Sequence, residues 1–395
     1  MSIQTIADRV LGEIQQRGTY RRMRRFDGTQ GPRMRVDGRE VLAFAGSNYL
    51  DLAAHPTVIQ AAQEAAESHG CAAAGSRLIN GNMDIHEALE EDIAKFFGLD
   101  SALVFATGYM ANVGVIPAIV GSGDLLVSDA LNHASIVDGA RLAKADVAIF
   151  PHGDVDELER ILKRESSRRR EILVAVDGIY SMDGDVAPLS EILPLCRRYG
   201  AISLVDDAHG TGTLGPRGRG SAEQQNALEH VDILMGTLGK SVGSFGAFVA
   251  GGLTLRDLLI NTARSFIFSC ALAPPAVAAA QAAFRVMDKE SERREALQAN
   301  ALRLREGLAR HGISTDPSST HIVPVIVGEN AATMAVCETL LHEGFHAQGI
   351  RHPSVPEGTA RLRLTPMATH RAAEVDALVE AVATALSTPE RAAAV

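Results

Sequence analysis

The sequence predicts a large α/β domain with a mostly parallel sheet of seven strands, followed by a smaller C-terminal α+β domain. Between residues 84 and 250, short apolar runs bounded by turn residues alternate, for the most part, with helical stretches. Such runs are typical of strands that are buried on both faces of a parallel sheet. Beyond Pro274 and Pro275 the pattern becomes rich in helices, which indicates a second structural unit.

The first 55 residues are predicted to form an N-terminal arm. Hydrophobic spacing predicts an amphipathic helix over 6–17, and a hairpin over 33–44 is expected to turn at Asp37-Gly38. Pro56 is expected to open the first helix of the large domain, because the fixed φ of proline suits the first turn of a helix.

The large domain is predicted over 56–285 and the small domain over 286–395. Helices are expected over 87–97 and 108–119. The predicted strands of the large domain are 102–105, 125–127, 147–150, 172–176, 202–205, 233–235 and 247–250. In the small domain we expect a helix-rich stretch over 276–310, a strand over 321–327, a helix over 331–343, a strand over 361–364, a helix from His370 and a frayed tail after Ser387.

Length and composition favour a soluble globular protein of two structural units. The chain has 395 residues, 46% hydrophobic and 22% charged, which is too long for one ordinary core. A net charge of −10 argues against general nucleic-acid binding. The four cysteines lack metal-like spacing, and no stretch resembles a signal peptide or a membrane helix, so a cytoplasmic location is expected.

Lys240 is the first candidate for a catalytic residue. It ends an apolar, strand-like stretch that breaks into glycine, whereas the other lysines lie among charged residues in helical stretches. Burial lowers the pKa of an amine and so favours the neutral form that Schiff-base chemistry requires. Lys240 is therefore predicted to be desolvated and to bind an aldehyde.

Asp206 and His209 follow another predicted strand. A carboxylate at the C-terminal end of a parallel strand points into the crevice where such sheets bind ligands. An acid and a histidine after one strand, with a lysine after the next, are expected at a pyridoxal phosphate (PLP) site, where the acid holds the pyridine nitrogen. His209 is placed to reach the phenolic oxygen of the ring. The alternative is a turn that merely ends the strand.

A phosphate site is predicted where a strand gives way to a helix at Gly108 and Tyr109. Backbone N–H groups at a helix N-terminus bind phosphate, and glycine allows close approach. Thr237 is a candidate for an additional hydroxyl ligand. Because any strand-to-helix turn can contain glycine, this prediction depends on PLP being the cofactor.

Three further residues follow predicted strands. The imidazole of His133 is placed to stack on the pyridine ring, although a helix-capping turn built by Asn132 explains the same residues equally well. Ser181 is either a ligand of the ring or a loop serine. Asp177 either supports the ring histidine or terminates its strand.

Two segments that contain arginine are candidates for substrate binding. Arg361 and Arg363 alternate along a predicted strand and so share one face, where a guanidinium can hold a carboxylate through paired hydrogen bonds. The alternative is a pair of exposed charges on an edge strand. Arg21, in the basic cluster 21–25, either meets the phosphates of coenzyme A or a carrier protein or belongs to a solvated surface.

Taken in order, these motifs resemble those of the α-oxoamine synthases, a PLP-dependent family with the fold-type I transferase architecture. The resemblance extends from about Arg21 to His370. It rests on the motifs at 75–78, 108–112, 132–135, 181–185, 206–210 and 237–240.

The resemblance implies a role for each candidate. Lys240 would carry the cofactor, Asp206 would bind its ring nitrogen and His133 would stack on its ring. The other implied ligands are His209 and Ser181 at the ring oxygen, Gly108, Tyr109 and Thr237 at the phosphate, and Arg363 at the amino-acid carboxylate.

Three positions depart from the family pattern. Ser47 stands where the family has an asparagine that helps to hold the substrate carboxylate. Cys270 stands where a phosphate-binding threonine is contributed across the dimer, and Ser269 is placed to compensate. His352 replaces a proline near the acyl channel.

The family condenses an amino acid with an acyl thioester, with loss of carbon dioxide, in a homodimer whose active sites lie at the interface. Two stretches, 243–251 and 350–363, favour a biotin-pathway synthase that joins L-alanine to a pimeloyl thioester of coenzyme A or acyl carrier protein. The alternatives are a relative that uses glycine, serine or a longer acyl chain, a PLP aminotransferase, and a PLP-fold module without turnover.

Overall fold

The structure is a computed structural model that describes residues 2–387; the tail predicted to fray after Ser387 lies outside this range. The helices are α1 (Ile3–Gln16), α2 (Pro56–His69), α3 (Asp84–Phe97), α4 (Gly108–Ile119), α5 (Ala134–Ala143), α6 (Val155–Glu165), α7 (Leu189–Tyr199), α8 (Ser221–Gln224), α9 (Leu253–Thr262), α10 (Arg264–Ile267), α11 (Pro274–Lys289), α12 (Glu292–Arg310), α13 (Asn330–His342) and α14 (Ala372–Ser387).

The strands are β1 (Phe26–Asp27), β2 (Arg33–Val36), β3 (Arg39–Ala43), β4 (Ser101–Phe105), β5 (Leu125–Asp129), β6 (Asp146–Phe150), β7 (Ile172–Asp177), β8 (Ile202–Asp206), β9 (Ile233–Thr237), β10 (Ala247–Gly251), β11 (Val323–Gly328), β12 (Phe345–His346), β13 (Gln348–Ile350) and β14 (Ala360–Leu364).

The seven strands β4 to β10 form one sheet in the order β4-β10-β9-β8-β7-β5-β6. The neighbours from β9 to β6 are all parallel, whereas β10 is antiparallel to both β4 and β9. The residues of β4, β5, β7, β9 and β10 are buried throughout, which accounts for their continuous apolar sequences. The prediction of a mostly parallel seven-stranded sheet is confirmed.

Polar residues stand at the carboxyl ends of neighbouring strands in this sheet. Asp129 ends β5, Asp177 ends β7, Asp206 ends β8 and Thr237 ends β9. Because these strands are parallel, their carboxyl ends meet at one edge of the sheet, where α/β proteins bind ligands.

The described chain divides into two compact units. Unit 1 contains residues 2–46, 182–184 and 296–387, and unit 2 contains residues 47–181 and 185–295. The large sheet belongs to unit 2. The sequence-based division into 1–55, 56–285 and 286–395 stays a prediction.

Unit 1 contains two small sheets, in the orders β1-β2-β3-β12 and β11-β14-β13. The hairpin of β2 and β3 turns at Asp37 and Gly38, whose φ values of +49° and +82° are left-handed, as predicted for this turn. Leu362 and Leu364 of β14 pack in the core with α12 and α14.

The alternative of exposed arginines on an edge strand was wrong. Strand β14 is central in its sheet and buried at every position, so Arg361 and Arg363 are not exposed edge charges. The helix-rich stretch expected over 276–310 is confirmed and consists of two helices, since α11 ends at Lys289 and α12 begins at Glu292. Within residues 2–387, no helix is long and apolar enough to span a bilayer.

Candidate active site

A pocket of about 210 Å³ opens in unit 2 at the carboxyl edge of the large sheet. The residues that line it are Gly108, Tyr109, His133, Ser135, Asp177, Ser181, Asp206, Ala208, His209, Met235, Thr237 and Lys240. The structure thus brings together most of the predicted cofactor-binding residues, which are distant in sequence but follow neighbouring strands.

Lys240 lies in a turn between the antiparallel strands β9 and β10. The turn is closed by hydrogen bonds from the backbone N–H of Leu238 to Gly246 O (2.9 Å) and from that of Ser244 to Leu238 O (2.8 Å). Gly243 has φ +70°, and a Cβ there would approach Ala53 N to 2.4 Å, so this position requires glycine. The Lys240 side chain is half-buried and faces the pocket, which is less desolvation than the sequence suggested.

His209 connects Lys240 to a buried tyrosine. Its Nε2 lies 3.0 Å from Nζ of Lys240, and its Nδ1 lies 2.7 Å from the hydroxyl of Tyr49, which is 1% exposed. Sequence reasoning missed Tyr49, because this contact joins residues 160 positions apart. The only sequence signal was its place directly after Ser47 and Asn48.

Asp206 is buried at the end of β8 and is held by neutral hydrogen-bond donors. Its Oδ2 accepts a bond of 2.8 Å from the amide of Asn112, and its Oδ1 accepts one of 3.1 Å from the backbone N–H of Ala208. The same Asn112 amide donates to Oγ of Ser135 (2.8 Å). Asn112 lies in the motif at 108–112 but was not predicted to act in the site. Its position one helical turn after Gly108 was the available signal.

His133 caps the helix α5, since its Nδ1 accepts a hydrogen bond from the backbone N–H of Ser135. Asn132 has a different role: its amide donates to Ala175 O (2.7 Å), and its Oδ1 accepts from Asp177 N (3.0 Å). The proposed Asn132 cap is therefore wrong. The His133 ring lines the pocket, and the surrounding protein partly desolvates it. This desolvation lowers its pKa, with Lys240 acting in the same direction and Asp206 opposing.

Two further buried aspartates lie beside Asp206. Oδ2 of Asp177 accepts a hydrogen bond of 3.1 Å from the backbone N–H of His133, so Asp177 holds the main chain of His133 in place. Burial, and then the charge of Asp206, raise the pKa of Asp177 well above its usual range. Burial also raises the pKa of Asp207 to about 7, although the backbone N–H of Ser221 donates to it at 2.6 Å.

The N-terminus of α4 enters the pocket beside Thr237. Thr107 caps this helix by accepting the backbone N–H of Met110 (3.1 Å). A Cβ on Gly108 would approach Cγ2 of Thr237 to 2.8 Å, so only glycine allows this close packing. Tyr109 is half exposed, and its hydroxyl donates to Asp138 at 2.5 Å.

These groups fit PLP. The cradle at Gly108 offers backbone N–H groups to a phosphate, the Asp206 carboxylate suits a protonated pyridine nitrogen, and the Lys240 amine suits an aldehyde. Within the described part of the chain, Oδ1 of Asp177 is buried without a hydrogen-bond partner beside the same pocket.

The remaining predicted residues are not part of this lining. In unit 2, Ser47 Oγ accepts a hydrogen bond of 3.4 Å from the Tyr49 hydroxyl, and Cys270 is exposed and pairs with Ser76 in an isolated bridge. In unit 1, Arg363 is buried in β14 and Arg21 is exposed.

Comparison with known proteins finds similarity over most of the chain. The family model for aminotransferase class I and II matches residues 39–382. A relative from Geobacter sulfurreducens, named 8-amino-7-oxononanoate synthase, is 49% identical over 379 residues, which cover 95% of this chain and 97% of that protein. One of the same name from Geobacter metallireducens is 51% identical over 372 residues, 94% of each chain.

Among solved structures, the serine palmitoyltransferase of S. paucimobilis, with a bound PLP–myriocin aldimine, is similar over nearly its full length. Its TM-score is 0.92 at 32% sequence identity, and the match covers 98% of both chains.

Proposed function

The chain belongs to the aminotransferase class I and II family, and we propose that it condenses L-alanine with a pimeloyl thioester to give 8-amino-7-oxononanoate, carbon dioxide and a free thiol. The product is the compound after which its Geobacter relatives are named. These relatives confirm the resemblance to α-oxoamine synthases that the motifs indicated. The reaction belongs to biotin biosynthesis.

The observation that carries the proposal is the convergence of an amine, a buried carboxylate and an imidazole in one pocket. Lys240 lies in the turn after β9, Asp206 ends β8 and His133 precedes α5, and all three line the same pocket. PLP supplies an electron sink that stabilises the negative charge formed at Cα of the amino acid.

The side chains around the pocket divide the work of binding. Asp206 would pair with the ring nitrogen, and Asn112 fixes the carboxylate by its 2.8 Å hydrogen bond. His133 would stack on the ring. The other proposed ligands are Ser181 and His209 at the ring oxygen, and Gly108, Tyr109 and Thr237 at the phosphate.

Lys240 performs the proton transfer. Its amine would hold the cofactor between turnovers, and the free amine is the base that removes the proton from Cα of alanine. His209, at 3.0 Å from Nζ, keeps the amine beside the pocket, and Tyr49 fixes the ring of His209 at 2.7 Å. The new bond joins alanine Cα to the thioester carbonyl carbon as the C–S bond breaks and the thiol leaves. The bond from Cα to the carboxyl carbon then breaks with release of carbon dioxide, and Cα is reprotonated to give the aminoketone.

We propose contacts to the substrates as well. Arg363 binds the carboxylate of alanine through its guanidinium, Ser47 takes the place of the family asparagine, and Arg21 meets the phosphates of coenzyme A or a carrier protein. The enzyme is a cytoplasmic homodimer, and Cys270 approaches the phosphate of the partner's active site.

Product mass spectrometry tests the reaction. Protein loaded with PLP is incubated with L-alanine and pimeloyl-coenzyme A, and glycine and serine replace alanine in parallel samples. We expect the mass of 8-amino-7-oxononanoate in the sample with alanine and not in the samples with glycine or serine. Absence of that product, with either pimeloyl-coenzyme A or the pimeloyl carrier protein, would refute the proposal.

A condensation that uses serine and a longer acyl chain is the second candidate, because serine palmitoyltransferase is similar over nearly the whole chain. The same samples, repeated with palmitoyl-coenzyme A, separate the two. Incubation with an amino donor and a keto acid, but no thioester, detects an aminotransferase instead.

A further inference from the structure

Outside the pocket lining, His152 joins two acidic side chains through both nitrogens of its ring. It follows strand β6, and its Nδ1 lies 3.0 Å from Oδ1 of Asp129 while its Nε2 lies 2.8 Å from Oδ2 of Asp185. Asp129 is buried and Asp185 is half-buried. The ring of Tyr180 packs edge-on against His152, with the centroids 4.3 Å apart.

This geometry requires a charged imidazole. A neutral ring has one N–H group and can donate to one carboxylate only, whereas the protonated ring donates to both. The hydrogen bonds to Asp129 and Asp185 raise the pKa of His152 to about 10, although burial opposes them. The ring is therefore an internal cation between two anions.

Asp129 fixes the start of the loop that carries His133. Its Oδ1 also accepts the backbone N–H of Leu131 (2.8 Å), two residues before His133. Its Oδ2 accepts the backbone N–H of Gly153 (2.9 Å), next to His152 itself. Both carboxylate oxygens are thus used to tie the loop after β5 to the loop after β6.

Asp185 closes the hairpin that carries Ser181. Its backbone carbonyl accepts the N–H of Tyr180 (3.1 Å), and Ile179 pairs with Val186 in an antiparallel bridge. Ser181 follows Tyr180 directly and reaches the pocket.

We propose that His152 is a positioning residue, whose charged ring holds the loop of His133 and the hairpin of Ser181 in fixed relation so that both side chains face the cofactor. The inference rests on the proposed function only in naming PLP as the occupant of the pocket. The ionic bridge is a property of the chain itself.

The first experiment measures the protonation of the ring. The holoenzyme is labelled with 15N in histidine, and the ring nitrogens are followed by NMR from about pH 6 to pH 9. We expect one imidazole to stay doubly protonated throughout and its signals to be absent from His152→Gln. A His152 ring that titrates near pH 6.5 would overturn the proposal.

The second experiment measures what the bridge does for the pocket. His152→Gln is compared with His311→Gln, a matched change at a histidine of unit 1 that contacts only the exposed carboxylate of Glu380 among the ion pairs of the described residues. Loss of the charged hydrogen bonds from His152 to Asp129 and Asp185 predicts about tenfold weaker PLP binding. We also expect a changed visible circular dichroism per bound cofactor, which general destabilisation would not produce.

Unchanged affinity and dichroism in His152→Gln would contradict the positioning role. If that variant does not fold, Asp185→Asn, which replaces the anionic partner of Nε2 with a neutral amide and keeps the ring, is measured in the same way. Neither readout depends on turnover of alanine or pimeloyl thioester, so failure of the proposed reaction would leave both results interpretable.

Discussion

The carboxyl edge of the large sheet and strand β14 of the small sheet both hold buried charged groups, but by different means. At the edge, Asp206 is held by an amide and a backbone N–H, both neutral donors. On β14, Arg361 forms an ion pair with Asp183. Groups at strand ends therefore stay available to a ligand charge, whereas an arginine paired within a strand is already neutralised.

Among the predicted changes, replacement of Lys240 at the carboxyl edge of the large sheet has the largest expected effect on activity. Lys240→Ala removes the residue proposed as both attachment point and base, so we expect kcat to fall by at least about a thousandfold. Borohydride should no longer fix PLP to the protein. Lys144→Ala, at an exposed position of the same unit, is the control. Retained turnover in Lys240→Ala would contradict the mechanism.

Asp206→Asn keeps the shape of the strand end and removes its charge. Because the ring nitrogen then loses its anionic partner, we expect kcat to fall by about a hundredfold. Steady-state kinetics with saturating PLP measure this loss. Asp257→Asn, at an exposed residue of α9, should behave as the unmodified protein. An equal kcat in both variants would show that the buried carboxylate does not act on the cofactor.

The two arginines of β14 sharpen the contrast within one strand. Arg363→Lys keeps the charge but loses the paired hydrogen-bond geometry, so we expect the KM for alanine to rise about tenfold with little change in kcat. Arg361→Lys should leave that KM unchanged. It should lower the melting temperature by roughly a few degrees, because it weakens the ion pair to Asp183. The reverse pattern would assign the substrate contact to Arg361.

The smallest effect concerns His370 in unit 1, which contrasts with His152. Its ring stacks on Phe44 with centroids 4.1 Å apart, its Nδ1 accepts the backbone N–H of Met367, and burial lowers its pKa from 6.5 to about 4. Since the folded pKa lies below the unfolded one, its contribution is complete above pH 6.5 and is lost as pH falls towards 4.

The predicted change is a loss of about 1 kcal/mol in the free energy of unfolding between about pH 6.5 and pH 5.5. Urea unfolding at both pH values measures it. His370→Gln, which can still accept the Met367 N–H, should lose less over the same interval. An equal loss in both proteins would assign the pH dependence to other groups.

Short sequence patterns predicted the pocket well because many of its residues lie at the ends of strands and helices. Helix α4 begins at Gly108 and ends at Ile119, as predicted, since the glycine that opens it and its apolar residues are both visible in sequence. The polar residues at the ends of β8 and β9 were identified in the same way. The sequence predicted the parallel sheet, and the sheet brought these positions together.

What sequence reasoning missed depends on contacts between distant residues. The bond from Asn112 to Asp206 spans 94 positions, and that from Tyr49 to His209 spans 160. Whether β14 is central or at an edge depends on β13, a strand of three residues with no local signal. The burial of Arg363 was unpredictable for that reason.

The position of β10 has a consequence for biosynthesis. Strand β4 lies at the edge of the large sheet, and its only neighbour there is β10, with Phe105 opposite Ala247. A growing polypeptide therefore carries β4 unpaired while every other strand of this sheet is translated. Helix α4 directly follows β4, and the strand that leads into it is fully paired only after the ribosome has delivered Gly251.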